Sequence, residues 1–277
     1  MFTKTSDRDY KMYSVTDRQI QLSNKRCLKY RKKILFLSQQ VGALHIGGSF
    51  SSVEILDVIY NFLLKKKDKF ILSKGHTGIL QYVILQSKNI ITNNFLLSYC
   101  KKNSRLGVHP DYGNPGIEAS TGALGHGLGI ASGLGIGQEK KINIYVVISD
   151  GELMEGTTWE YLLTISSLNI YNINLFVDYN GLQSSTFSKD THPTLHPVNK
   201  KLKSFGWITR SCNGHDVKDI YKQFKYRKKN KPFALICKTI KGYPIKYMMN
   251  VPIWHYRSPN KKEYSDALKT LSKHYKK

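Results

Sequence analysis

The 277-residue chain is poor in cysteine and has no long apolar run. Its four cysteines are far apart and form no Cys-x-x-Cys or Cys-x-x-His pair, which argues against a zinc site or a disulfide framework. No stretch approaches the roughly 20 apolar residues of a membrane span. The polar segment 1–17 also lacks the apolar core of a signal peptide. These absences predict a cytoplasmic protein with reduced thiols and no membrane partner.

Acidic residues are scarce as well, with 19 Asp and Glu against 43 Lys and Arg, a formal charge of +24. A basic surface of this size can bind nucleic acid electrostatically. However, 35 of the cations are Lys and only 8 are Arg, and they occur in short scattered runs. Lys, Asn, Ile and Tyr are all abundant and all have A/T-rich codons. We therefore favour compositional drift, with nucleic-acid binding as the alternative.

The most informative stretch is 142–183, which has the pattern of a strand, a helix and a second strand. Residues 142–148 form an apolar, β-branched run, typical of a strand buried on both faces. The acidic turn Ser149-Asp150-Gly151 follows, and then helical spacing over 155–168. A second apolar run over 173–177 ends at Asn180-Gly181. The pattern predicts a βαβ unit with parallel strands.

In such a unit Asp150 and Asn180 follow the carboxyl ends of neighbouring strands, at the edge where open α/β sheets bind ligands. A carboxylate and an amide oxygen suit Mg²⁺, which takes one or two protein carboxylates and completes its octahedron with water and phosphates. The alternative is a pair of ordinary turns, because Asp-Gly and Asn-Gly are common turn dipeptides.

A long helix is predicted over 17–40 from its apolar positions. The pair Gly47-Gly48 is expected to break the pattern, and Ser51 or Ser52 to cap the helix that follows. Further elements are predicted as a strand within 68–76, strands over 206–212 and 233–240, and helices over 217–226 and 263–271.

The segment 115–137 is rich in glycine and indicates a loop that opens a helix. Such a loop suits a diphosphate, because backbone N–H groups and the helix dipole favour an anion there. Gly129, Gly133 and Gly137 recur every four residues, so one face of the helix is bare and open to close packing.

Several strings together resemble one family. SDGELMEG followed by NGLQ resembles the thiamine-diphosphate motif, in its transketolase branch. The other similar strings, in chain order, are HIGGS, DKFILSKGH, LGVHP, the glycine-rich loop, GHD, TIKGY and WHYRSP. The resemblance spans about residues 15–272. It implies a three-layer α/β fold, a mostly parallel sheet flanked by helices, forming a single diphosphate-binding domain over 1–277.

The resemblance also implies cofactors and site residues. The cofactors are thiamine diphosphate and Mg²⁺, or another divalent cation such as Ca²⁺. The implied metal ligands are Asp150, Asn180 and the carbonyl of Leu182. The implied cofactor-binding residues are His76, Gly122, Leu124, Gly151, Glu152 and Asn180. The implied catalytic residues are His45, His109 and His255, which handle protons and hydroxyl groups, and Glu155, which joins a proton network between two sites.

A full-length transketolase has three domains, and the resemblance covers only the first. The pyrimidine-binding and carboxyl-terminal domains are therefore expected on a partner chain, in a heterotetramer that self-associates through the glycine-rich helix. The implied activity is transfer of a two-carbon ketol unit from a ketose phosphate to an aldose phosphate.

Five positions depart from the family pattern. Ser149, Val108 and Tyr256 stand where the family has Gly, His126 replaces Gln, and Ser184 replaces an apolar residue. Ser149 still allows a tight turn, and the other four departures keep open delivery of the two-carbon unit to a lipoyl or acyl-carrier-protein arm. A non-catalytic scaffold is a further alternative, against which the intact candidate residues argue. His215, in the GHD turn, is interpreted as structural.

Overall fold

A five-stranded sheet forms the centre of the protein, described here from a computed structural model over residues 15–228 and 230–276. Its strands are β1 (Lys69–Leu72), β2 (Ile144–Ser149), β3 (Ile173–Tyr179), β6 (Ile208–Asn213) and β7 (Phe233–Lys238). Their order is β1-β2-β3-β7-β6, and every neighbouring pair is parallel. A short antiparallel hairpin, β4 (Leu182–Gln183) with β5 (Thr186–Phe187), follows β3 in the chain.

Helices cover both faces of this sheet. They are α1 (Asp17–Ser38), α2 (Ile46–Ser51), α3 (Val53–Val58), α4 (Gly78–Ser87), α5 (Asn93–Leu97), α6 (His126–Gly137), α7 (Gly156–Ser167), α8 (Ser188–Thr191), α9 (Val198–Ser204), α10 (Val217–Phe224) and α11 (Lys261–His274). Single turns of other helix types occur at Ile59–Leu63, Gly75–Thr77, Gly151–Met154, Pro193–Leu195 and Pro252–His255.

Alternation along the strands produces two separate apolar cores. In β2, Tyr145 and Val147 pack into the core built with α1, α3, α4 and α10, whereas Val146 and Ile148 pack into the core built with α6, α7 and α9. Every residue of β2 is buried because both faces of the strand are covered. The predicted three-layer α/β fold is thereby confirmed.

The predicted element boundaries hold to within a few residues. Helix α1 begins at a capping box, in which Thr16 and Gln19 satisfy each other's backbone N–H groups, and it ends two residues before the predicted end. The helix predicted over 155–168 is α7, which begins at Gly156, and a separate helical turn at Gly151–Met154 precedes it. Within the described residues, no helix is long and apolar enough to cross a membrane.

The prediction that Gly47-Gly48 break the helical pattern is wrong, and the predicted serine cap is right only in position, because Ser52 is the N-cap residue of α3. Both glycines lie inside α2, where a Cβ on Gly47 would come within 2.7 Å of the Trp254 carbonyl oxygen. Ser52 makes no side-chain cap to α3. The hydroxyls of Ser51 and Ser52 instead donate to Asp178, at 2.6 and 2.7 Å, because the fold places this turn over the end of β3.

Candidate active site

A cavity of about 260 Å³ opens beyond the carboxyl ends of β2 and β3. Many of the predicted site residues meet there. The lining residues are His45, Gly48, Lys74, His76, His109, Gly122, Leu124, Ser149, Gly151, Asn180, Leu182, Gln183, Ser184, Lys241 and His255. Strand ends, the turn after β1, the glycine-rich loop and the turn at Pro252–His255 all contribute, so distant segments of the chain build one site.

The two predicted metal-ligand turns are neighbours in space. Ser149 is the register partner of Asp178 across β2 and β3, so Asp150 and Asn180 follow adjacent strand ends. Oδ2 of Asp150 accepts a hydrogen bond from the Gly181 N–H at 2.5 Å. Oδ1 of Asn180 accepts from the Leu182 N–H at 3.0 Å, which holds the turn closed. The parallel βαβ arrangement predicted from the sequence is confirmed.

Asp150 has the properties of a cation ligand. It lies between two lining residues, is fully buried, and its Oδ1 has no hydrogen-bond partner among the described residues. Burial and the nearby Asp178 charge raise the pKa of Asp150 to about 7. The described residues contain no cluster of three or more His, Cys, Asp and Glu suited to a metal. One carboxylate with amide and carbonyl oxygens is nevertheless what Mg²⁺ commonly takes from a protein, so the residues fit this ion.

Asp178 is buried to the same degree but fully compensated. The Lys74 ammonium lies 2.5 Å from its Oδ2, and both side chains are inaccessible to solvent. Oδ2 also accepts from Ser51 and Ser52, and Oδ1 accepts from the Thr239 hydroxyl. Burial alone would raise the pKa of Asp178, but the Lys74 charge and these donors outweigh it and lower the pKa.

Three imidazoles form a cluster on one side of the cavity. The ring centroid of His45 lies 5.2 Å from that of His76 and 5.0 Å from that of His255. Burial, followed by the charges of His109, Lys241 and Lys74, lowers the pKa of His45 to about 4. Burial and the Lys74 charge hold the pKa of His76 well below its usual value. These rings are therefore neutral near pH 7 and able to donate or accept protons.

Lys241 determines the tautomer of His255. Its ammonium donates to the Ser184 carbonyl at 2.8 Å and lies 3.0 Å from Nδ1 of His255. Burial and the charge of Lys241 lower the pKa of His255 to about 3, so the ring is neutral. Because an ammonium has no acceptor, Nδ1 must accept, and the proton of His255 resides on Nε2.

The glycine-rich loop reaches the cavity through Gly122 and Leu124. Gly122 has φ of +140°, and a Cβ there would come within 2.8 Å of the His109 ring. Only glycine lets the loop lie this close to His109, whose carbonyl is held by the Tyr82 hydroxyl at 2.7 Å. The loop and the imidazole thus form one wall.

The predicted residues Glu152 and Glu155 do not line the cavity. Glu152 is buried behind the loop, where its Oε1 accepts from the Ser73 hydroxyl and from the Gly125 N–H, the latter at 2.9 Å. Glu155 is exposed and precedes the first residue of α7. In this chain the Glu152 carboxylate holds the loop in place, and Glu155 lies beside the loop at Gly125.

The departures from the family pattern have different outcomes. Ser149 lines the cavity and accepts from the Glu152 N–H at 3.3 Å, so the turn closes without glycine. His126 is exposed at the start of α6. Tyr256 packs its ring on His45, with centroids 4.6 Å apart.

His215 stacks on Tyr243 at 3.9 Å and accepts from the Ile240 N–H at 2.8 Å, in line with the structural interpretation.

Sequence reasoning missed the cations of the site. Lys74 and Lys241 line the cavity, and each stands inside a string that was singled out for other residues, SKGH and TIKGY. A lysine beside a glycine at a strand end was the available signal. Asp178, in DYNG, was also passed over, although it belongs to the turn that carries Asn180.

A cavity at the carboxyl edge of a parallel sheet, with a glycine-rich loop, a buried carboxylate oxygen without a described partner and clustered imidazoles, is typical of the ligand site of an α/β protein. Residues 38–269 match the family model described as transketolase, thiamine diphosphate binding domain, so the chain belongs to this family. Its cofactor is thiamine diphosphate, and a divalent cation is standard in the family.

Relatives of similar length are themselves described as subunits. The chain is 36% identical over 262 residues to one subunit of the apulose-4-phosphate transketolase of Actinobacillus succinogenes, covering 89% of this chain and 95% of that protein. It is 30% identical over 243 residues to the 6-deoxy-6-sulfo-D-fructose transketolase subunit SqwG of Clostridium sp., covering 82% and 88%.

Longer relatives share the fold. Human transketolase is 30% identical over 230 residues, which cover 77% of this chain but 36% of that protein. The crystal structure of Campylobacter jejuni transketolase superposes with a TM-score of 0.83 at 22% identity, covering 92% of this chain and 43% of that one. The chain therefore spans less than half of the solved transketolase.

Proposed function

We propose that this chain is the amino-terminal subunit of a thiamine-diphosphate-dependent transketolase. It transfers a two-carbon ketol unit from a ketose phosphate to an aldose phosphate, and it acts with a separate carboxyl-terminal subunit. The observation that carries the proposal is the joining of the Asp150–Asn180 turns and the imidazole cluster in one cavity. Coverage of 95% of a relative that is itself described as a transketolase subunit supports the need for a partner.

In this proposal, Asp150, Asn180 and the carbonyl of Leu182 hold Mg²⁺. Gly122, Leu124, Gly151 and His76 face the cofactor, and Glu152 supports them from behind by holding Gly125. The predicted bare face of α6 is open only in part, because Gly129 packs closely against Tyr161, whereas a Cβ at Gly133 or Gly137 would meet no described atom within 4 Å. This open part supports self-association.

When bound, thiamine diphosphate supplies the nucleophilic carbon and the electron sink for cleaving a bond next to a carbonyl. The protein's residues handle the protons. His255 has its proton on Nε2 and is able to donate to a substrate oxygen, while His109 and the neutral ring of His45 contact hydroxyl groups. Glu155 joins the proton network through a second chain, and its exposure supports this role. The carbon–carbon bond lost by the ketose is formed again on the aldose, so the reaction is balanced without an oxidant.

The test uses the chain co-expressed with a candidate carboxyl-terminal subunit. The complex is incubated with thiamine diphosphate, Mg²⁺, xylulose 5-phosphate and ribose 5-phosphate. A seven-carbon ketose phosphate is the expected product. The alternative outcome is that the donor is cleaved to its aldehyde product, no seven-carbon sugar forms, and an added acyl carrier or lipoyl protein gains mass. That outcome would show that the acceptor is a carrier protein. A folded complex that cleaves no donor would contradict transferase activity and favour a scaffold.

A further inference from the structure

Tyr256 lies at the rim of the cavity, outside the lining itself but in ring contact with His45, which lines it. The Arg257 N–H next to it donates to the Leu44 carbonyl at 3.1 Å, which ties this turn to the residue before His45. The Arg257 guanidinium packs over Trp254 at 4.2 Å and pairs with Glu263 at 2.6 Å. Trp254 is itself buried. Both neighbours of the His255-Tyr256 pair are therefore anchored, and the tyrosine is held in one place.

The backbone at Tyr256 does not require glycine. Its φ of −139° and ψ of 78° are open to a residue with a side chain. The glycine of the family pattern is thus not fixed by local conformation here. The phenol ring is an addition to the site rather than a compensation for strain.

The ring covers His45 from the solvent side. The two ring centroids are 4.6 Å apart, and the planes are tilted by 46°. Tyr256 is 53% exposed, whereas His45 is one of the residues that line the cavity. His255, directly before Tyr256 in the chain, lies 5.0 Å from His45 in an edge-to-face contact. A substrate whose reacting carbons approach these two histidines must extend past the phenol ring.

We infer that Tyr256 is a specificity-determining residue that limits the length of the ketose phosphate donor. This inference rests on the proposed function. The volume of the ring at the rim shortens the path beyond His45, so donors with a short chain past the reacting carbons are favoured. The cause is the ring and not its hydroxyl, because it is the ring that contacts His45.

The experiment measures kcat/KM of the complex with its carboxyl-terminal subunit for three donors of increasing length. These are xylulose 5-phosphate, fructose 6-phosphate and sedoheptulose 7-phosphate, with the matching acceptor in excess. Tyr256→Gly is expected to raise the seven-carbon to five-carbon ratio of kcat/KM about tenfold, within the range for size discrimination in a pocket. Tyr256→Phe is expected to keep the wild-type ratio within about twofold.

Ile253 offers a matched control for loosening of the turn. It lies in the turn Pro252–His255 directly before Tyr256, is 62% exposed and, unlike Tyr256, has no aromatic ring to pack on His45. Ile253→Gly is expected to leave the donor ratio unchanged. The midpoint of thermal unfolding and the Kd for thiamine diphosphate should be unaltered in Tyr256→Gly. If that variant does not fold, Tyr256→Ala takes its place in the experiment.

Three results would overturn the inference. The first is an unchanged seven-carbon to five-carbon ratio of kcat/KM in Tyr256→Gly. The second is an equal fall in kcat/KM for all three donors, which would show that the ring positions His45. The third is a change of the ratio in Tyr256→Phe as large as in Tyr256→Gly. A ratio change in Ile253→Gly would likewise assign the effect to the backbone. If the wild-type complex cleaves no donor at all, the proposed function fails instead, so the two failures are distinguishable.

Discussion

Asp150 and Asp178 are two buried carboxylates near the carboxyl ends of the neighbouring strands β2 and β3, yet their electrostatic environments are opposite. Asp178 has a lysine and three hydroxyls around it, and its pKa is lowered. Asp150 has one backbone donor and an oxygen without a described partner, and its pKa is raised to about 7. A satisfied buried charge holds the fold, whereas an unsatisfied one next to a cavity indicates a ligand.

The largest expected effect comes from breaking the satisfied pair. Lys74→Met leaves the Asp178 carboxylate buried without its counter-charge, and we expect a loss of about 3–5 kcal/mol in the free energy of unfolding. Urea unfolding of the chain without cofactor measures it. The control is Lys69→Met, whose partner Glu118 lies 3.0 Å away with both side chains about one-third exposed. That variant should lose less than about 1 kcal/mol, and equal losses would contradict the comparison.

Acid is expected to have the next largest effect, because two imidazoles of the site are partly buried and lie near cations. Burial and neighbouring cations lower the pKa of His45 from 6.5 to about 4 and that of His255 to about 3. Since the unfolded chain binds protons first at these two imidazoles, their contribution to stability should fall as pH drops from about 6.5 towards 4, by about 2 kcal/mol after allowing for partial exposure. Asp150 acts in the opposite direction, because its raised pKa makes the folded chain bind its proton first. The stability difference between the wild type and a His45→Gln/His255→Gln variant, read from urea midpoints, should change by this amount over the same pH range, and a difference that does not vary with pH would rule out these imidazoles as the cause.

A smaller effect is expected from removing one hydroxyl around Asp178. Thr239→Val keeps the shape of the side chain but deletes the donor to Oδ1, at a cost of about 1.5 kcal/mol. The same swap at exposed Thr191, whose hydroxyl lies 3.5 Å from Gln183, should change stability by less than about 0.5 kcal/mol. Urea midpoints of the two variants provide the measurement. If they coincide, the hydroxyl is not part of the compensation.

Asp150→Ala should have the smallest effect on stability and a decisive effect on binding. It loses the Gly181 hydrogen bond but also removes an unpaired buried charge, so the unfolding free energy should change by less than about 1 kcal/mol. Mg²⁺-dependent retention of thiamine diphosphate by the two-subunit complex should be lost, as measured by equilibrium dialysis. Exposed Asp190→Ala is the control. Unchanged cofactor affinity in Asp150→Ala would refute its role as a metal ligand.

Much of the fold was predictable because its signals are local. Apolar runs, turn dipeptides and helical spacing located β2, α7 and β3 to within a few residues, and they placed Asp150 and Asn180 at adjacent strand ends. Most residues implied by the resemblance also line the cavity. Ser51 and Ser52 were misinterpreted as caps, since a local pattern cannot reveal an acceptor 126 residues further along the chain.

The sequence by itself therefore determined the parallel α/β architecture, the family and the position of the turns that carry Asp150 and Asn180, because these depend on neighbours a few residues apart. Only the tertiary structure decided which buried carboxylate is paired. Lys74 and Asp178 are 104 residues apart in the chain, and their contact exists only once β1 and β3 lie in one sheet. The same reason separates Glu152 from the cavity wall and brings Tyr256 onto His45, since burial and contact depend on how distant segments pack.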